Sequence, residues 1–239
     1  MNSIIPTHTT YVEPFLGSGA VFFGIDYSKI GENKILNDLN TDIYDGFKLL
    51  QIASVDIKDY PDIIYSKEVP ELNAYSKLKG LTGADEMVRL AFMTCNTFGG
   101  MGRGHIYKNT SIIPKLKNLQ IYKDRLKGAV ILHEDYAKVI EEYDSPETFF
   151  FLDPPYEASK GIYKHHAIDY TKMNSILQAL KGKFILTIND SAAVRDYFKG
   201  FKMSAVRVTG GSHRADESKS SLHTNVGLGA RDELFITNY

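Results

Sequence analysis

The stretch Phe149-Phe150-Phe151-Leu152-Asp153-Pro154-Pro155-Tyr156 constrains this chain more than any other. An apolar run this short reads as a buried strand, and it stops at an acid followed by two prolines, which neither donate to a sheet ladder nor extend a helix. The strand therefore ends in a stiff, exposed loop. Each proline fixes its own φ and pushes the residue before it toward extended geometry, so the Asp153 carboxylate and the Tyr156 ring are expected to keep a fixed relation. An acceptor beside an aromatic plane suits a flat heterocycle with an amino group: the ring stacks on Tyr156 while its NH2 donates to Asp153 and to the carbonyl of Pro154. The alternative is a Pro-Pro pair that merely ends a strand, with the tyrosine packed on it.

Earlier in the chain, Tyr11-Val12-Glu13-Pro14-Phe15 reads as a short strand and Leu16-Gly17-Ser18-Gly19-Ala20 as a tight glycine turn, with a helix beginning near Ala20. Strand, glycine turn and helix make a nucleotide-type binding corner, because glycines allow close backbone approach and a helix start presents unpaired N–H groups. The turn lacks the third glycine of the dinucleotide fingerprint and the Lys-Ser/Thr of a phosphate loop, which argues against both. A second strand from Asn33 ends on Asp38 before a helix from about Thr41 to Ile52. Asp38 falls about 20 residues after the turn, where an acid meets a ribose diol in nucleoside-binding sheets. Helix capping by Asp38 or Asn40 is the competing reading.

From about Val55 to Lys127 the alternation of strand and helix breaks down. Asp85 to Asn96 reads as a helix, whose Cys95 is expected to be a core thiol. A Gly-rich stretch with Arg103, His105, Tyr107 and Lys108 follows, expected as a loop or hairpin. Between Thr97 and Lys127 seven Lys or Arg face one acid, Asp124, a local charge of +6, whereas Glu134 to Glu157 holds eight acids and one base, a local charge of −7. With a formal net charge of only −1 over 239 residues, any polyanion partner needs such a local patch. A basic run with interleaved aromatics suits phosphate tracking, although a charge run is often only a solvated face.

Regular alternation then returns. Ala129 to Leu132 reads as a strand leading to Asp135 and Tyr136, which could accept from one flat ring and cover another's face; a helix runs on to about Tyr143. After the strand that ends at Asp153 come a helix from about Thr171 to Leu180, the strand Lys183 to Ile188 and a helix from about Ala192 to Phe198. Met203 to Val208 and Glu233 to Thr237 form a final strand pair around a loop from Gly210 to Arg231. A single Cys excludes a disulfide framework within the chain, and neither a leader pattern nor an apolar run of membrane-spanning length is found. The expectation is a cytoplasmic protein, in a bacterial, phage or viral host cell interior, with no membrane partner. No metal site is expected, because His133 and the His165-His166 pair lack further ligands at suitable spacing.

Phe15-Leu16-Gly17-Ser18-Gly19 with Asp153-Pro154-Pro155-Tyr156 far downstream resembles the amino-methyltransferases of DNA. More narrowly, residues 11–19, Asn-Asp-Leu-Asn at 37–40, Asp135-Tyr136 and Glu-Leu-Phe-Ile-Thr-Asn at 233–238 resemble the Dam-type (D12 class) adenine-N6 methyltransferase family. The resemblance implies an α/β fold: a Rossmann-like sheet of the S-adenosylmethionine-dependent methyltransferases with an inserted, mainly helical target-recognition region. Residues 1–54 and 128–239 would form the catalytic domain and 55–127 the insertion. By this likeness Phe15, Gly17, Ser18 and Gly19 border S-adenosylmethionine, Asp38 binds its ribose, and Asp135 with Tyr136 holds its adenine. Asp153, which also borders the cofactor, receives the target adenine with Pro154, Pro155 and Tyr156. Arg103, His105, Tyr107 and Lys108 would face double-stranded DNA carrying a flipped adenine. DNA methylation of the restriction–modification kind is the implied setting.

Family members usually carry a Trp-x-Gly-Gly-Lys-like segment before the first strand. This chain has no Trp, and ten residues precede Tyr11. Another group, or a partner chain or second copy, is then expected to supply that cofactor contact, or binding is weaker. The same pocket suits an RNA adenine or cytosine N4, and a nucleic-acid-binding methyltransferase-like subunit with little catalysis is the reading from a different class. Asp rather than Ser at 153 favours adenine by the resemblance, and intact Asp38 and Asp153-Pro-Pro-Tyr argue against lost catalysis.

Overall fold

The computed structural model describes residues 4–52, 118–155, 168–208 and 231–239. The expected helix at 85–96 with Cys95, the Gly-rich stretch that follows it, His165-His166 and residues 210–230 lie outside them. In chain order the strands are β1 (Thr10–Glu13), β2 (Asn33–Asn37), β3 (Ala129–Leu132), β4 (Thr148–Leu152), β5 (Lys183–Asn189), β6 (Lys202–Val208) and β7 (Arg231–Thr237). The helices are α1 (Ala20–Gly24), α2 (Thr41–Ile52), α3 (Leu119–Leu126), α4 (Tyr136–Tyr143), α5 (Tyr170–Ala179) and α6 (Ala192–Tyr197), with a short 3-10 turn over Tyr27–Lys29.

One seven-stranded sheet runs in the order β3-β2-β1-β4-β5-β7-β6. The first five strands are parallel, and β7 lies antiparallel between β5 and β6. This is a Rossmann-like α/β sheet with one antiparallel strand inserted near its edge. Strand order reverses between β1 and β4, so a crevice forms outside their carboxyl ends, where open α/β sheets bind ligands. The strand expected over Tyr11–Phe15 ends at Glu13, because Pro14 has no N–H for the ladder. The loop expected to run to Arg231 gives way there to β7.

Every residue of β4 is buried, as a near-continuous apolar run in a parallel sheet requires. Alternation then divides the core between two faces. Val12, Phe150, Leu152, Phe184, Leu186 and Ile188 pack with Val139 and Ile140 of α4, Met173 and Leu177 of α5 and Val194 of α6. Tyr11, Leu36, Ile131, Phe149, Phe151 and Ile185 pack on the other side with Phe22 of α1, Phe47 of α2 and Leu126 of α3. Helix starts are capped by short polar side chains: Asp135 accepts from the N–H of Ala137 at 2.9 Å, Asp169 from Thr171 at 2.9 Å, and Ser191 from Val194 at 3.2 Å.

The helix α3, which follows residues 53–117, is fastened to the sheet by side chains. Lys34, buried in β2, donates from Nζ to the carbonyls of Arg125 (3.1 Å) and Lys127 (2.6 Å) at the end of α3, where a helix has unpaired acceptors. Arg125 itself donates to the carbonyls of Phe23, in the last turn of α1, and Ile25, just after it. Gln51, in the last turn of α2, donates from Nε2 to the carbonyls of Leu126 (3.2 Å) and Ala129 (2.9 Å). One of the seven bases between Thr97 and Lys127 therefore holds backbone carbonyls at home.

Candidate active site

The glycine turn leaves β1 with Gly17 at φ 51° and Gly19 at φ 68°, backbone that side chains with a Cβ adopt at a cost. Around Gly17 the space a Cβ would fill is open, whereas at Gly19 it is taken by the Phe47 ring, at 2.8 Å. The first glycine thus presents uncovered backbone and the second fits a tight contact. Asp38 closes the turn from the next strand: its Oδ2 accepts from the Gly17 N–H at 2.8 Å, and its Oδ1 from the Asn40 N–H at 2.8 Å. The cap on α2 is Asn40, whose Oδ1 accepts from the Asp42 N–H at 3.0 Å. The capping expected of Asp38 or Asn40 is thus made by Asn40, while Asp38 holds the glycine turn.

Beyond β3, the ring of Tyr136 lies 5.2 Å from that of Phe15, centroid to centroid. Two side chains expected at one cofactor thus meet, one from the turn after β1 and one from the start of α4. Lys172 of α5 stands over the Tyr136 ring at 5.4 Å and pairs with Asp135 at 3.7 Å. Burial, then the charges of Asp135 and Asp169, push the Tyr136 hydroxyl up to about 12, so it stays a neutral donor at physiological pH. His133 stacks on Tyr44 and bonds to the Leu39 carbonyl at 2.9 Å, a packing role. Among the described residues no group of three His, Cys, Asp or Glu could hold a metal ion.

Asp153 follows β4, exposed, with Pro154 buried behind it and Pro155 half-buried. Its Oδ1 accepts a bond of 2.7 Å from the hydroxyl of Thr187 on β5. Tyr156 lies outside the described residues, as do Arg103, His105, Tyr107 and Lys108. Ser18 is exposed on the glycine turn.

Three residues at this site went unread in the sequence. Glu13 ends β1 at 2% exposure; its Oε2 accepts from the Tyr11 hydroxyl at 2.7 Å, and Asp153 and Asp38 act on it from either side. Burial, helped by those two charges, pushes its carboxyl up to about 8. Alternation would have put Tyr11 and Glu13 on one face, but an acid in a strand reads as solvent-facing. Asn37, buried at the end of β2, donates to the carbonyls of Pro14 (2.9 Å) and Glu134 (3.0 Å) and accepts from the Glu134 N–H at 2.9 Å. It ties the loops after β1 and β3 to β2. Thr187 reads in the sequence as an ordinary β-branched strand residue.

The site therefore gathers three acids and an open glycine turn at adjacent carboxyl ends of β1, β2 and β4. The acceptor oxygens of Asp38 and Asp153 suit a cationic ligand with a sugar diol better than a phosphate, which they would repel. Residues 1–209 match the family described as D12 class N6 adenine-specific DNA methyltransferase. The Type II methyltransferase M.CviBI of Paramecium bursaria Chlorella virus NC1A is 24% identical, over 81% of this chain and 78% of its own length. The Type II methyltransferase M1.LlaDCHI of Lactococcus lactis subsp. cremoris is 21% identical, over 96% of this chain and 86% of its own. The DNA adenine methylase of Escherichia coli (strain K12) is 24% identical, over 85% of this chain and 80% of its own.

Proposed function

The chain belongs to the D12 class N6 adenine-specific DNA methyltransferases, and from that premise we propose how its residues divide the work of methylating adenine N6 in DNA. Phe15, Gly17, Ser18 and Gly19 border the cofactor, Asp38 binds its ribose hydroxyls, and Asp135 with Tyr136 holds its adenine. Bound S-adenosylmethionine supplies an electrophilic methyl group on a sulfonium centre.

The target amine is a poor nucleophile because its lone pair is delocalised into the purine ring. The Asp153 carboxylate and the Pro154 carbonyl accept its two N–H bonds, favour a more pyramidal nitrogen and stabilise the positive charge that develops there. Tyr156 fixes the ring plane by stacking. Asp153 need not be a strong base, since the proton becomes acidic only as the new N–C bond forms. A paired base cannot reach these groups, so the adenine is flipped out of the duplex at a cost of about a few kcal/mol. Phosphate contacts from the inserted region 55–127, through Arg103, His105, Tyr107 and Lys108, offset that cost and make binding fall steeply with salt. Residues 1–54 and 128–239 form the catalytic domain in this reading.

The observation that carries the reading is the bond from Gly17 to Asp38 at the carboxyl end of β1, with Asp153 at the end of β4 on the other side of that strand. The test is transfer of labelled methyl from S-adenosylmethionine to unmethylated DNA, followed by digestion to nucleosides. Label in N6-methyl-2′-deoxyadenosine with the wild type, and none with Asp153→Ala, is expected. Label in cytosine, or undiminished transfer by Asp153→Ala, overturns the proposed roles.

A further inference from the structure

The register of β4 against β5 pairs Leu152 with Leu186, so the next residue on each strand, Asp153 and Thr187, stand side by side at the edge of the crevice. Thr187 is 4% exposed and belongs to a strand hydrogen-bonded on both sides, by β4 and β7. Its side chain is β-branched and stiff about χ1. The hydroxyl reaches two acceptors, the Leu152 carbonyl at 3.3 Å and Asp153 Oδ1 at 2.7 Å. It has one hydrogen, and the shorter bond to an ionised oxygen takes it.

We propose that Thr187 is a positioning residue for methyl transfer: from the rigid core of the sheet it fixes the rotation of the Asp153 carboxylate and keeps that group an acceptor. The inference rests on the reading of Asp153 as the group that receives the target amine. Asp153 begins a loop, and its two oxygens exchange places by rotation about the Cβ–Cγ bond. Holding Oδ1 by a donor from β5 removes that freedom and aims both oxygens. A carboxylate that accepts a hydrogen bond is also favoured over its protonated form. That matters here because a protonated Asp153 would offer the amine a donor instead of an acceptor.

A purely structural role, in which a buried hydroxyl satisfies itself on the Leu152 carbonyl, predicts loss of stability alone. Thr187→Val keeps the shape and removes the donor; Thr187→Ser keeps the donor. Single-turnover methyl transfer to DNA is measured across pH, together with cofactor affinity by calorimetry and thermal unfolding. For Thr187→Val the rate falls about 10- to 100-fold, the scale of a misaligned reacting group. Its acid limb moves to higher pH, and cofactor affinity stays within about twofold. Thr187→Ser recovers most of the rate and returns the limb. A wild-type rate and an unmoved acid limb in Thr187→Val overturn the inference, as does a lower rate that only follows the folded fraction. Should Thr187→Val not fold, Thr187→Ala against Thr187→Ser asks the same question with one hydroxyl between them. Undiminished transfer by Asp153→Ala would instead overturn the reading of Asp153 itself, whereas an inactive Asp153→Ala beside a fully active Thr187→Val defeats only the role given to Thr187.

Discussion

The carboxylate of Asp38 accepts a 2.8 Å hydrogen bond from the backbone N–H of Gly17, so the end of β2 holds the turn that leaves β1. A bond from a neutral donor to a charged acceptor is worth about 1.5–3 kcal/mol. Asp38→Ala loses it together with the proposed ribose contact. Calorimetry with S-adenosylmethionine is expected to show affinity falling by about tenfold or more, with Asp38→Asn intermediate. Unchanged affinity in Asp38→Ala would remove Asp38 from the cofactor site.

Glu13 makes folding sensitive to pH. Its carboxyl is raised from 4.5 to about 8 in the folded chain, so between those values the native state holds a proton that the unfolded chain has lost. Its contribution to stability is complete below about 4.5 and is lost as pH rises through about 8. Glu13→Gln keeps the neutral shape and removes the titration. Urea midpoints of the variant should therefore gain on those of the wild type between pH 6 and pH 9, by on the order of a kcal/mol or more. A constant difference across that range would mean that Glu13 is ionised throughout.

Asn37→Ala leaves two carbonyls and one N–H without the partner they now have. At about 1–3 kcal/mol for each buried group left unsatisfied, partly relieved by water, a loss of about 2–4 kcal/mol is expected in denaturant unfolding. Because the side chain joins the loop that carries Phe15 to the one that leads into Tyr136 of α4, cofactor affinity should fall as well.

Gly19→Ala tests the turn itself. The backbone at φ 68° costs a residue with a Cβ about 1 kcal/mol, and the added methyl meets the Phe47 ring at 2.8 Å. A loss of about 2 kcal/mol or more is expected. Gly17→Ala shares the positive φ but has open space, so its stability loss should be smaller while its cofactor affinity suffers more.

Much of this frame is legible in the residues. The apolar runs before Asp38, Asp153 and Asn189 are each bounded by polar or turn-forming residues, so strands and their carboxyl ends could be read within a residue or so. The helix from Thr41 to Ile52 follows directly from its cap and periodicity. The insertion of β7 between β5 and β6 could not be read, because pairing is decided by the faces that other elements leave free. Glu13, Asn37 and Thr187 were hidden for a related reason. A polar side chain pointing into a sheet's crevice and one pointing into water look alike in a linear pattern, and only partners brought from other strands tell them apart.

Gln51 reaches from the last turn of α2 to carbonyls on either side of the turn between α3 and β3. The residue at which α2 ends its run on the sheet is thus joined to the point where the chain re-enters it at β3. Lengthening such an excursion costs only loop-closure entropy, about 0.6 kcal/mol for each doubling. Under the proposed division of labour, the part that chooses a DNA sequence can be rewritten or exchanged while the chemistry beneath it stays as it is.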